Sequence, residues 1–223
     1  MELNAIKSLT RKGEGQQLEF KKKANHPEKI VKELVAFANA DGGTLLLGVD
    51  DDGTASGVRS IEGELFFLEE SIRKLIRPKL LYTSEIIKVN EKKGLAVIEV
   101  QASKGKVFRV RSTDESKKGK AYIRRRDKSI QASKEVCEIL ERRHKKKDIQ
   151  FVYDEKVQKA IGLCEKHDFT TIKRLKEDAN ISKYIAARTL IRLVLANVLE
   201  VEPMEEEDRF YLKNSHSSEE EWH

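Results

Sequence analysis

The sequence predicts an α+β chain: a mixed or antiparallel sheet with flanking helices, followed by a small helical module closed by a hairpin. Three observations predict it. Along residues 1–147, segments with the apolar period of a helix mix with shorter apolar runs of strand type, without the strict alternation of a parallel βαβ sheet. Beyond a basic run at 142–148 the pattern changes to three helices and two short strands. Net charge changes sign there too: residues 1–147 carry 33 Lys/Arg against 22 Asp/Glu, a net of +11, and residues 148–223 carry 11 against 16, a net of −5.

Taken in order, residues 2–11 read as a short helix and residues 18–22 as a strand. Asn25-His26-Pro27 leads into an amphipathic helix whose Ile30, Val31, Leu34, Val35, Phe37 and Ala38 share a face at helical spacing. Pro27 suits its first turn, and Asp41-Gly42-Gly43 supplies the flexible stop. Residues 44–49 form the apolar run of a buried strand, and Asp52-Gly53 signals a hairpin to a second strand at 55–58. A helix over 63–77 stops at Pro78. Strands follow at 81–89, 95–101, 107–111 and 121–125, and a helix covers 133–146. After the 142–148 run, helices at 154–166, 171–178 and 182–196 and strands at 198–202 and 209–212 give the winged-helix order, with 182–196 in the place of the recognition helix. The expected domains are 1–147 and 148–213, with 214–223 a disordered polar tail.

Composition narrows the function. No run approaches the roughly 18 apolar residues of a membrane span, and the first residues lack the apolar centre of a signal peptide. Cys137 and Cys164 are too few for a disulfide framework or a thiolate zinc site. His26, His144, His167, His216 and His223 are scattered without ligand spacing. No Gly-x-x-x-x-Gly-Lys-Ser/Thr occurs, so ATP binding lacks its mechanism, and Gly42-Gly43 is better explained as a tight turn. The expectation is a soluble, cytoplasmic protein with its nucleic-acid footprint in the first part.

Within residues 104–128 there are eleven basic residues against three acidic ones. Lys104, Lys106, Arg109, Arg111, Lys117, Lys118, Lys120, Arg124, Arg125, Arg126 and Lys128 make up the set. Alternate residues of a strand share a face, so Arg109 aligns with Arg111 and Arg124 with Arg126, a ladder suited to phosphates along a backbone. Lys22 and Lys23 extend it. In the second domain Lys183, Arg188 and Arg192 are the basic residues of the recognition-type helix, against an acidic hairpin tip at 205–208.

Three carboxylates, Glu14, Glu19 and Asp51, stand at element ends that a compact fold could gather. Clustered acids in a basic groove suit metal-assisted phosphodiester cleavage, while Glu14 as a loop residue and Asp50–Asp52 as turn residues are the plainer alternative. Lys21 could steady charge at an attacked phosphate or be a solvated strand lysine.

Glu14 and Glu19-Phe20-Lys21, then Ala36-Phe37-Ala38-Asn39, Gly42-Gly43, Gly48-Val49-Asp50-Asp51, Gly57, Tyr122-Ile123-Arg124, Ser129 and Ala132-Ser133 together resemble the Schlafen AlbA_2 domain family over about residues 1–145. The resemblance implies a catalytic, metal-holding triad of Glu14, Glu19 and Asp51, with Mn²⁺ or Mg²⁺ as cofactor. It also implies an endonuclease acting on tRNA-like structured RNA and also on single-stranded DNA. Family members with two such domains clamp RNA between them, so this chain would need a homodimer for the same grip. The rival expectation is a non-catalytic DNA-binding transcriptional regulator using both domains.

Overall fold

The computed structural model describes residues 2–111, 118–143 and 152–213. They fall into two compact units, Met1–Gln131 and Ala132–His223.

The first unit runs α1 (Leu3–Thr10), β1 (Leu18–Lys21), α2 (Pro27–Asn39), β2 (Gly43–Leu47), α3 (Ile61–Leu75), β3 (Ile76–Arg77), β4 (Tyr82–Asn90), β5 (Lys93–Val100), β6 (Arg109–Val110), β7 (Tyr122–Arg125) and β8 (Lys128–Gln131). Its main sheet has the order β1-β2-β5-β4, with β1 parallel to β2 and the other pairs antiparallel. Strand alternation sends Leu45, Leu47, Ala96 and Ile98 to one face, where they pack with α2 and α3 residues such as Leu34, Phe37 and Leu68. Phe20, Leu46, Leu95 and Val97 go to the other face and meet Ile6 of α1. Val31 and the run from Leu34 to Ala38 have no exposed surface, because α2 packs against the sheet, α3 and β7 at once. Gly42 reverses the chain after α2 at φ +79, and a Cβ there would lie 2.7 Å from the Val100 carbonyl oxygen.

The α+β class is as the sequence predicts; several details differ. No strand forms over 55–58: Asp50 N–H donates to Thr54 O (2.9 Å) and Gly57 N–H to Gly48 O (2.9 Å), so the segment closes on itself and pairs with the sheet through a Val58–Gly94 bridge rather than a ladder. The 107–111 segment does not pair with 121–125 as a ladder. Arg109–Val110 pairs instead with β3, placing Arg77 opposite Arg109, while β7 folds back onto β8. The units divide at 131/132 rather than 147/148, because Ile139 of the helix after Ser133 joins the core of the second unit.

The second unit contains α4 (Lys134–Arg143), α5 (Glu155–His167), β9 (Phe169–Thr170), α6 (Ile172–Asp178), α7 (Lys183–Leu195), β10 (Leu199–Glu202) and β11 (Arg209–Leu212). Its antiparallel sheet has the order β10-β11-β9. Side-chain oxygens of Asp154, Thr171 and Ser182 cap α5, α6 and α7 by accepting from Val157, Arg174 and Ile185 N–H. Leu175, Ala186, Leu190, Leu193 and Phe210 form its centre. Among the described residues no helix is long and apolar enough to cross a membrane.

Candidate nucleic-acid interface

Gly13, at φ +76, turns the chain after α1, and a bridge between Gly15 and Leu18 folds residues 14–18 back along β1. Glu14 therefore reaches its own strand: Phe20 N–H donates to Glu14 Oε1 (2.8 Å). The Glu14 side also lines a groove of about 820 Å³ with Lys12, Gln17, Thr44 and Glu99. Glu19 points to the opposite face from Phe20 and is buried. Asp51 is exposed in the loop after β2, while its neighbour Asp50 pairs with Lys22 (2.7 Å). That hydrogen-bonded ammonium holds the Asp50 carboxyl below its ordinary range, and Asp50 raises Lys22 in return.

The buried end of Glu19 belongs to a charge network centred on Arg124. The Arg124 side chain has no exposed surface. Its Nη2 donates to Glu19 Oε2 (2.7 Å), to Gly15 O (2.9 Å) and to Leu18 O (3.3 Å), and its Nε donates to Gly15 O (3.0 Å). Its Nη1 donates to Glu33 Oε2 (2.7 Å) and to Ser129 Oγ (3.3 Å), and the guanidinium lies 5.0 Å from the centre of the Phe37 ring. Lys21 Nζ donates to the other Glu19 oxygen and to Phe20 O (2.9 Å). Two cations thus face two carboxylates, which is how charge survives burial. Burial raises the Glu33 carboxyl above its ordinary range and nearby Glu19 adds to the rise; the Ser129 hydroxyl, Arg124 and Lys21 oppose it.

This arrangement corrects one expectation and bears on another. Arg124 is not a surface phosphate ligand, because all of its donors are directed to protein oxygens in the interior. Arg126 does not share its face, since it sits at φ +54 in the β7–β8 turn. Glu14 is tied to the backbone of β1 at Phe20, the residue after Glu19. Both Glu19 oxygens, however, are engaged by cations, and among the described residues no group of three or more His, Cys, Asp or Glu side chains converges as a metal site.

Sequence reasoning missed Glu33, Ser129 as its partner, and Gln16. Glu33 had a signal: it lies three residues after Ile30 and four before Phe37, on the apolar side of α2, where a carboxylate needs a buried partner. Gln16 had none, because its partners are more than a hundred residues away.

The remaining cations are at the surface. Lys22, Lys23, Arg111, Lys118, Lys120, Arg126 and Lys128 are exposed, and Arg109 and Arg125 are half-buried; Lys117 lies outside the described residues. Residues 1–100 contain 16 Lys/Arg and 16 Asp/Glu, so the net +8 of the first unit comes entirely from residues 101–131. In the second unit Lys183, Arg188 and Arg192 are exposed on α7, and Arg188 Nη1 donates to the hydroxyl of Tyr184 (2.8 Å), itself 66% exposed. The acidic tip is partly structural: Asp208 accepts from Ser133 Oγ (2.6 Å) and Met204 N–H (3.2 Å), and burial raises its carboxyl. Burial likewise pushes the Cys164 thiol up to about 11.

The family model for "Schlafen, AlbA_2" matches residues 14–133, more than half of the chain. No curated protein matches the sequence. Two solved structures show a likeness. One is the N-terminal domain of a RecG-related protein, named for ATP-dependent DNA helicase, from Nitrosomonas europaea: 19% identity, TM-score 0.42, covering 56% of this chain and 88% of that one. The other is the DIP2311 protein of Corynebacterium diphtheriae: 18% identity, TM-score 0.43, covering 89% of this chain and 34% of that one, so this chain spans about a third of its length.

Proposed function

Because this chain belongs to the Schlafen AlbA_2 family, we propose that it is a nucleic-acid-binding protein whose first unit grips the phosphate backbone of structured, tRNA-like RNA. One observation carries this. The charge excess of the unit is confined to residues 101–131, and the only arginine or lysine of that segment that is buried among the described residues, Arg124, is neutralised internally. Lys104, Lys106, Lys118, Lys120, Arg126 and Lys128 are exposed on neighbouring segments, and so much charge of one sign is costly without a polyanion and favourable with one.

Metal-dependent endonuclease activity, with Glu14, Glu19 and Asp51 holding Mn²⁺ or Mg²⁺ and Lys21 beside them, is the finer form of this reading and rests on the family resemblance. The side chains as arranged hold Glu19 in an ion-pair network with Lys21 and Arg124, which would have to open for Glu19 to meet an ion. A homodimer belongs to the same finer form, since a single AlbA_2-type unit offers one wall of a clamp.

A second reading is favoured by a separate observation. Arg188 and Arg192 stand four residues apart on the exposed face of α7, beside Tyr184, as a helix docking on duplex DNA would require.

One experiment separates these readings. Labelled tRNA transcript, single-stranded DNA and duplex DNA are titrated with purified protein in Mn²⁺, Mg²⁺ or EDTA, with light scattering to read the oligomer. Tightest binding to tRNA in every buffer supports the proposal. Cutting that needs metal and disappears in Glu19→Ala/Asp51→Ala adds the nuclease. Preference for duplex DNA that is lost in Arg188→Ala/Arg192→Ala establishes the regulator instead, and no binding to any of the three refutes the proposal.

A further inference from the structure

The tip of the β7–β8 hairpin and the loop that carries Glu14 are joined by two side chains running in opposite directions. From the hairpin, Arg124 reaches inward to the carbonyls of Gly15 and Leu18 (2.9–3.3 Å). From the loop, Gln16 reaches outward and closes a two-point clamp on the hairpin backbone. Its Oε1 accepts from Arg126 N–H (2.7 Å), and its Nε2 donates to Arg124 O (3.2 Å). A side-chain amide supplies both the acceptor and the donor this clamp uses, whereas a carboxylate has no donor.

The point that Gln16 holds is one that needs holding. Arg126 lies at φ +54, a left-handed conformation that costs a side chain with a Cβ of this size free energy and that glycine adopts without penalty. The register Arg125 opposite Lys128 leaves Arg126 and Asp127 as a two-residue turn, so this conformation decides where the tip points. Arg126 and Lys128 are exposed on that tip and Arg125 flanks it. A clamp on the Arg126 amide therefore fixes three cationic side chains relative to Glu14.

We infer that Gln16 is a positioning residue that sets the β7–β8 tip as a preformed phosphate clamp beside the Glu14 loop. It acts through Arg126 and touches no ligand itself. The inference rests on the nucleic-acid reading above for its purpose, but not for its mechanics. A tip fixed in advance does not have to be ordered when the polyanion arrives, so its contacts contribute more fully to affinity.

Two measurements test it. Amide hydrogen exchange on the free protein reads the clamp directly: Gln16→Ala should exchange at least about tenfold faster over residues 125–128, with α2 unchanged. Unchanged exchange at the tip overturns the inference whatever the protein binds. The second measurement is a double-mutant cycle on labelled tRNA transcript with Gln16→Ala and the triple variant Arg125→Ala/Arg126→Ala/Lys128→Ala. Gln16→Ala alone should weaken binding by about five- to tenfold and lower the salt slope by about one, and it should have no further effect in the triple background. An equal loss from Gln16→Ala in both backgrounds would show a role unconnected with the tip and overturn the inference. Faster exchange in a protein whose wild type binds no RNA would instead overturn the nucleic-acid reading and leave the clamp standing as a structural device.

Discussion

The two units of this chain handle charge in opposite ways. The first, with a net +8 over residues 1–131, buries an arginine against two carboxylates, with Lys21 beside it, and keeps most of its other described cations at the surface. The second has 17 Lys/Arg against 19 Asp/Glu over residues 132–223, and the charged group it buries among the described residues is a carboxylate, Asp208, held there by a hydroxyl and a backbone amide. A buried ion pair stabilises only while complete, whereas a hydrogen-bonded carboxyl can take up a proton and remain in place. The first unit is thus committed to one arrangement of its hairpin and its acid loop, and the second tolerates change at its acidic site.

The largest effect that would break this comparison is expected at Arg124. Arg124→Ala leaves Glu19 and Glu33 without their shared cation and removes the bonds to Gly15 and Leu18, so a loss of about 3–5 kcal/mol in urea unfolding is expected. Arg124→Lys should recover little of it, since one ammonium cannot replace the planar fork. A cost below about 1 kcal/mol would show that the network is not what holds the hairpin. In the second unit Asp208→Ala should cost less, about 1–3 kcal/mol, the range for leaving two donors unsatisfied. On the binding side, Arg188→Ala/Arg192→Ala should change tRNA affinity by less than about twofold while weakening duplex DNA more, by filter binding at fixed salt.

The smallest effect is one of pH. The folded protein raises the Glu33 carboxyl above its ordinary value of 4.5, so Glu33 binds its proton more tightly folded than unfolded. Its contribution to stability is fully present below about pH 4.5 and is lost as pH rises through the higher folded value. Glu33→Gln should therefore flatten that fall in a series of thermal midpoints starting near pH 4, and an unchanged profile would contradict the burial of Glu33.

Much of the scaffold was legible because it rests on local pattern. The apolar face of α2, the helices α6 and α7 and the final hairpin all formed within a residue or two of their expected bounds. The two-residue strands β3 and β9 were not legible, since pairing partners elsewhere define them and no periodicity fits in two residues. The candidate site was legible in part. Alternation placed Glu19 and Lys21 on one face of β1, and the composition of residues 104–128 marked the cationic segment. Arg124 was read as one more surface cation although the Tyr122-Ile123-Arg124 motif sets it apart from Arg125 and Arg126, because its partners, Glu19 and Glu33, lie 105 and 91 residues away. Strand parity also failed at Arg126, where the chain leaves the strand through a positive φ.

The central claim is that the first unit confines Arg124 so that the β7–β8 tip can present its remaining cations to phosphate. The most direct test is the salt dependence of tRNA binding by the wild type and by Arg125→Ala/Arg126→Ala/Lys128→Ala, measured by anisotropy from low to moderate salt. The account predicts at least about tenfold weaker binding and a slope of log Kd against log salt lower by about two, as expected when two or three phosphate contacts are lost. Parallel lines of equal affinity would place the nucleic-acid grip elsewhere and contradict the account.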